Sequence, residues 1–508
     1  MSSLLTNTSA MVALQTMKSI NTNLNSIQKE ISTGKSVATA RDNAAVWSIS
    51  KVMEADVKGF KAISDSLSLG SSTLTVAREA SEKVTDLLTQ MRGKIVAAQE
   101  QNVDREKLQT DIVALRDQVA SVVGAAQFSG LNMISGTEDV SFLSSLDRSP
   151  SGVTASKITV ARQDMGTGAG VYGTGASLAP NAVASAATAT STGNTADVTF
   201  AGTWAANDTA QLTIGGVVVN HTAAGASVTD IATAFAGAIN ALGLDGVSAS
   251  NAAGVLTITS TRGFEGLAIT QSSVSAGGGT SDITAVNGAA PASPNTASAS
   301  TIDQRAETIG FSTSAQVTAG DGYRVTLGTS SYTYIAGKGE SMEDVARGLK
   351  IAIDSGSPEG VKTRVTQNET TGAWVLNVDN DGTGNASLAL SVTGNADGEA
   401  SGGLFGLDSI DVTTNAGAET ALSNIETMIS RSIDAAAAFG SAQGRIDTQS
   451  DFIGALTDAL TAGIGTLVDA DMEEASARLQ ALQVQQQLGV QALSIANQAP
   501  QNLLSLFR

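Results

Sequence analysis

Cysteine is absent from the 508 residues, and histidine occurs once, as His221. Disulfide staples, zinc–cysteine sites, cysteine nucleophiles and paired-histidine metal motifs are thereby excluded. Charge is also scarce, at 15% of residues, and the balance is acidic, with a net charge of −19 and a pI near 4.4. Phosphate backbones need clustered Lys and Arg, so no nucleic acid is expected as a partner. Aromatics make up only 4%. No run of 18 apolar residues occurs, so no membrane insertion is expected. The start MSSLLTNTSAMVALQTMK lacks the charged region and cleavage site of a secretory signal. A secreted protein with this start uses a route without a cleavable signal peptide.

Proline is also rare and unevenly placed. Residues 1–147 and 419–499 have none, whereas Pro150, Pro180, Pro291, Pro294 and Pro358 punctuate the middle. That contrast predicts helical flanks around a β-rich insert. In the first flank Ala10, Ala13, Met17, Ile20, Leu24, Ile27 and Ile31 recur at alternating steps of three and four, a heptad seam. The helix predicted there spans about residues 3 to 32 and stops at Ser32-Thr33-Gly34. From about Ala45 to Gln99 the rhythm resumes through Phe60, Ile63, Leu67, Gly70, Leu74, Ala77, Ser81, Val84, Leu88, Met91 and Ile95. A helix of that length predicts a coiled-coil-like rod. A third helix returns along it through Leu108, Ile112, Leu115, Val119 and Val122.

In the second flank Leu422, Ile425, Ile429, Phe439, Ile446, Ile453 and Leu460 continue one seam, with Ala436, Gln443 and Thr457 at matching positions. A break is predicted at Gly463 to Asp471. Asp471 and Glu474 then cap a last helix from 472 to about 498, closed by Pro500. First and last helices match in length and in their flanking breaks, so they are expected to pair, with the longer helices paired beside them. The expected fold class is therefore α+β multidomain, with paired N- and C-terminal long helices and β-rich outer domains in the central insert.

The middle holds a weak repeat. Residues 207–260 and 320–378 both read strand, strand, short helix, strands, with Ser227/Asp230 and Ser341/Asp344 as helix caps. The chain thus divides into 1–40 with 464–508, 41–185 with 413–463, and two ββαββ-like modules at 186–298 and 299–412.

No constellation of nucleophile, base and orienting group stands out, so no enzyme, catalytic residue, cofactor or metal is expected. Asp469, Asp471, Glu473 and Glu474 cluster where carboxylates meet a helix N-terminus and read as caps. GTGAGVYGTG at 166–175 contains G-x-G-x-x-G, but no helix pattern follows it, so it reads as a linker or turn region. His221 reads as structural. The seams remain: their faces are too long for one globule to bury, and head-to-tail contact between copies makes a helical polymer. The tail QVQQQLGVQALSIANQAPQNLLSLFR fits this, since no charge occurs from Leu479 to Phe507. Leu482, Leu488, Leu493, Ile495, Leu503, Leu504 and Leu506 would form its packing face.

DADMEEASARLQALQVQQQLGVQALSIANQAPQNLLSLFR at the end, and ISTGKSVATARDNAAVWSIS with Asn21 and Leu24 near the start, resemble bacterial flagellin. Glu30-Ile31-Ser32-Thr33-Gly34 and Asp42-Asn43-Ala44-Ala45-Val46-Trp47-Ser48 depart from the common family pattern in the manner of its α-proteobacterial branch. The resemblance implies an extracellular filament subunit that polymerises for swimming motility after type III export of the unfolded chain. Its implied partners are other copies of itself, the export apparatus, an export chaperone, the filament cap and the hook-junction proteins.

On that reading Ala13, Met17, Ile20, Leu24, Ile27, Ile31, Leu479, Leu482, Leu488, Leu493 and Ile495 serve inner-core self-assembly. Phe60, Ile63, Leu67, Leu74, Val84, Leu88, Met91, Ile95, Ile446, Ile453 and Leu460 serve rod packing. The surface that a flagellin-sensing toll-like receptor reads corresponds to Gln90, Arg92, Gly93 and Lys94. There Gln90, Gly93 and Lys94 stand for the Arg, Glu and Leu of stimulatory members, which implies weak or absent recognition. A hook–filament junction protein, a stand-alone adhesin and an enzymatic insert are the competing readings.

Overall fold

The computed structural model describes residues 7–149, 152–291 and 297–505. The helices are α1 (Thr8–Thr33), α2 (Ala44–Ala98), α3 (Arg105–Ala125), α4 (Val228–Ala241), α5 (Met342–Gly356), α6 (Asn415–Val468) and α7 (Met472–Ser505). α2, with 55 residues, is about 82 Å long at 1.5 Å per residue. α1 ends at Gly34, whose φ of 68° is the left-handed cap the sequence pattern requires. Asp471 Oδ1 accepts from the backbone amides of Glu473 and Glu474 at 3.0 and 3.1 Å, which starts α7.

The predicted seam of α2 coincides with its buried face, from Phe60 to Ile95. In α6 the buried face runs through Ile425, Met428, Ser432, Ala435, Phe439, Ala442, Ile446 and Ile453. Ala436 and Gln443, which the sequence placed on the seam, lie beside it, partly covered. The neighbours there are alanine, serine and glycine, so hydrophobic contrast does not choose between adjacent positions; the partner helix does.

Two end signals are overridden. α6 continues through Gly463 and Gly465 to Val468, because a glycine costs a helix only about 1 kcal/mol relative to alanine. α7 continues through Pro500 to Ser505. Leu503 and Leu504 fall in its last turn, whereas Leu506 and residues 3–6 lie outside the described residues.

The chain clusters into two compact units, one of Met1–Thr75, Val140–Val160 and Gly440–Arg508, the other of Val76–Asp139 and Ala161–Phe439. The helical division expected at residues 40/41 and 463/464 is therefore not where the contacts thin out. In the first unit a hairpin of β3 (Val140–Ser149) and β4 (Gly152–Val160) packs on α2. The hairpin comes close enough that a Cβ on Gly70 would lie 2.9 Å from Phe142 Cδ1. In the second unit a small hairpin of β1 (Gln127–Phe128) and β2 (Leu131–Asn132) follows α3.

The rest of the second unit is two modules. The first comprises β7 (Asn194–Ala201), β8 (Thr209–Ile214), β9 (Val217–Thr222), β10 (Val247–Ala252), β11 (Val255–Ser260), β12 (Leu267–Val274), β13 (Thr280–Val286) and β14 (Ala299–Ile302), with α4. Its sheets are ordered β10-β11-β7-β13 and β14-β12-β8-β9, around Phe200, Trp204, Leu212, Phe235 and Ile258. The second comprises β15 (Glu307–Phe311), β16 (Gly322–Leu327), β17 (Ser330–Ile335), β18 (Val361–Gln367), β19 (Trp374–Asn380) and β20 (Ser387–Asn395), with α5. Its sheets are completed by β5 (Ala182–Ala184) and β6 (Thr188–Thr190), giving β18-β19-β15-β5 and β17-β16-β20-β6. The two plans are the same, with β5 and β6 in the places of β13 and β14.

The second module is thus a permuted copy, and the first is nested inside it between β6 and β15. Boundaries expected at 186 and 299 fall elsewhere, because strands 182–184 and 188–190 belong to the second module and 299–302 to the first. Antiparallel partners come from opposite ends of the segment, and a local repeat does not reveal them. The chain enters and leaves the nested module side by side: Asn194 Nδ2 donates to the Asp303 and Gln304 carbonyls at 3.2 and 2.9 Å. The glycines of 166–175 serve backbone approach: Val171 exchanges both backbone hydrogen bonds with Glu399, and a Cβ on Gly173 would meet the Ala396 carbonyl at 2.0 Å.

Candidate self-assembly surface on the paired chain ends

Within the first unit α1 and α7 lie antiparallel. The two breaks seen in the sequence meet here: Ser36 donates its amide to the Val468 carbonyl at 2.7 Å, and Ala470 to the Gly34 carbonyl at 3.0 Å. Asp42 braces the same turn, with Oδ2 accepting from the Thr39 amide at 2.8 Å and Oδ1 3.3 Å from Lys29 Nζ. The Thr39 amide and hydroxyl, with Lys29 adding less, hold its carboxyl below the usual carboxylate range. Farther along, Gln486 Nε2 donates to Asn21 Oδ1 at 2.8 Å.

The covered face of α1 is Ala10, Ala13, Met17, Ile20, Leu24, Ile27 and Ile31; that of α7 is Ala475, Leu479, Leu482, Gln486, Gly489, Leu493 and Ala496. Read in opposite directions, both advance by three and four in alternation, so knobs and gaps stay in step along the pair. Of these, only Ile20, Ile27 and Ala475 are buried. The other seam residues are half-buried, which two helices alone cannot improve.

Leu488 and Ile495 lie off this seam. They are 58% and 69% exposed, and with Val484 they form a stripe at steps of four and seven on one face of α7. Met11, Val12 and Leu14 on α1, and Val490 on α7, are equally bare. Heptad spacing does not single out Val484, Val490, Met11, Val12 and Leu14, although apolar residues outside a heptad's inner positions are the signal for a second contact face. Beside them a groove of about 770 Å³ is lined by Val12, Ala13, Thr16, Gly489, Ala492 and Ile495.

Of the rod-packing residues, Phe60, Ile63, Leu67, Leu74, Ile446 and Ile453 are buried in the first unit and Val84, Leu88, Met91 and Ile95 in the second. Leu460 is half-buried. In the second unit Ser432 Oγ donates to the Ser81 carbonyl at 3.0 Å and lies 2.8 Å from Thr85 Oγ1, so small hydroxyls let α2 and α6 approach closely. Gln90 and Gly93 are exposed on α2. Lys94 Nζ is paired with Asp111 at 2.6 Å and Arg92 with Glu426 at 3.1 Å.

End helices that cover one stripe each and leave a second apolar stripe bare define a class of protein: a subunit that completes its core by self-association. Family models of the bacterial flagellin N-terminal helical region and the bacterial flagellin C-terminal helical region match residues 4–139 and 422–507. Over its whole length the chain is 30% identical to flagellin A of Rhizobium meliloti, aligned across 508 residues with all of both chains covered. It is 31% identical to flagellin A of strain 1021 of that α-proteobacterium, again with both chains covered in full. Among solved structures it is similar to FlgL of Xanthomonas campestris, at 9% identity and a TM-score of 0.30 over 81% of this chain and 98% of that one. That last superposition is too loose to bear on function.

The chain belongs to the bacterial flagellin family. It is a structural subunit of the extracellular helical filament that drives swimming.

Proposed function

We propose that the bare stripe of Val484, Leu488 and Ile495, together with Met11, Val12 and Leu14, is where neighbouring copies close the filament's inner core. The half-buried seam from Ala13 to Ile31 and from Leu479 to Leu493 packs the pair itself. The observation that carries this is apolar surface without charge: burying each such side chain is worth about 1.5–3 kcal/mol, and no ion has to be desolvated. α6 supports the same reading. It holds an 18-residue window of mean hydropathy 1.2 that is only 11% buried in the single chain. By length and composition that window could cross a membrane; here neighbouring subunits cover it instead. The modules, nested one in the other, then project as outer domains without catalytic duty. Export proceeds with the chain unfolded through the flagellar type III apparatus, and the chaperone, cap and hook-junction proteins of the family complete the partners.

Limited proteolysis tests the placement. Residues 7–35 and 472–505 are expected to be cut within minutes in the soluble subunit and to resist cleavage in filaments grown from seeds. Equal protection in both states would favour a stand-alone surface protein, and no growth on seeds would favour a junction protein.

The receptor surface gives a second expectation. With Gly93 and Lys94 in place, and Lys94 engaged by Asp111, we expect a weak response from cells reporting the flagellin-sensing toll-like receptor. Strong activation at sub-nanomolar subunit would overturn this.

A further inference from the structure

Pro500 lies inside α7. A proline in a helix leaves the carbonyl four residues back without its donor, and here that carbonyl belongs to Ala496. It is not left unmet. Asn7 Nδ2 donates to the Ala496 oxygen at 2.8 Å. The same side chain's Oδ1 accepts from the Ala10 amide at 3.0 Å and so caps α1. The amide thus has one half on each helix, at opposite ends of the chain.

We infer that Asn7 is a positioning residue: it supplies the donor that Pro500 removes, keeps α7 helical beyond the proline and locks the start of α1 to it. No other side chain of this size does both. Aspartate and serine cap a helix well but aspartate cannot donate, and serine is too short to keep the bridge. The consequence is for assembly. The five residues after Pro500 within α7 carry no charge and continue as helix rather than turning away, so residues 501–505 are presented to neighbouring subunits in one orientation.

The test separates cap from bridge. Asn7→Asp and Asn7→Ser keep the capping oxygen and lose the bridge, while Pro500→Ala restores a backbone donor to Ala496. In assembled filaments, amide exchange in the peptide covering 497–505 is expected to be roughly five-fold faster for Asn7→Ser than for the native chain, the size of one lost hydrogen bond. In the Pro500→Ala background the same substitution is expected to change exchange less than two-fold. Asn7→Asp should behave alike; if it blocks assembly, Asn7→Asp with Pro500→Ala should assemble. The inference is overturned if Asn7→Ser leaves exchange unchanged, if its effect is equal in both backgrounds, or if the double variant with aspartate also fails to assemble.

Discussion

Leu488→Asp is expected to abolish filaments while leaving the subunit folded and exported. Leu488 is 58% exposed in the single chain and lies off the covered face of α7. A monomer therefore tolerates the charge at a cost of about 0.5 kcal/mol or less, as at most surface sites. In the assembly the same carboxylate would enter a region without a cationic partner, since no charged residue occurs from Leu479 to Phe507. Desolvating an unpaired ion costs several kcal/mol, and every subunit would carry that cost. Leu493→Asp, on the half-buried seam, should also prevent filaments but loosen the α1–α7 pair as well. Electron microscopy of seeded growth, with circular dichroism of the subunits, distinguishes the two. Normal filaments from Leu488→Asp would refute the assigned contact face.

Arg305→Ala should cost the second module about 3–5 kcal/mol, the range for stripping one partner from a buried ion pair. Arg305 leaves the nested module and reaches Asp379 on β19 with two bonds, at 2.8 and 2.7 Å, and the side chains are 10% and 4% exposed. The bonds to Asp379 raise the guanidinium pKa against the opposing effect of burial. Alanine would leave the carboxylate buried without its cation. Around the pair, the Arg305 and Ala306 amides donate to the Arg262 and Gly263 carbonyls, so the clamp closes the neck where the first module emerges. Urea unfolding followed by Trp fluorescence measures the loss. Arg305→Met with Asp379→Leu should recover most of it, because an apolar pair has no charge to desolvate. A drop below about 1 kcal/mol for Arg305→Ala would show the clamp to be incidental.

The α1–α7 pair was legible where it depends on spacing. Ile20 and Ile27, the stop at Gly34 and the Asp471 cap of α7 follow from helix periodicity and capping, which act within a few residues. Leu488 and Ile495 were singled out from the sequence as part of the same apolar set as Leu482 and Leu493. Their separation onto a second, exposed face needed the direction of α1, which no spacing within α7 contains. Pro500 is the clearest case. Locally it ends a helix, and what lets the helix continue is an amide nearly five hundred residues earlier.

By itself, then, the sequence determined which stretches are helical, most of their seams and several of their caps, because each rests on interactions between residues two to eight apart, and its internal repeat revealed two similar modules. The tertiary structure alone decided which strands complete which sheet, which neighbour of a tied alanine pair faces inward in α6, and which apolar stripe stays bare. Those outcomes depend on the free energy of contacts between distant segments. Local propensity is indifferent among the alternatives until the partner surface is in place.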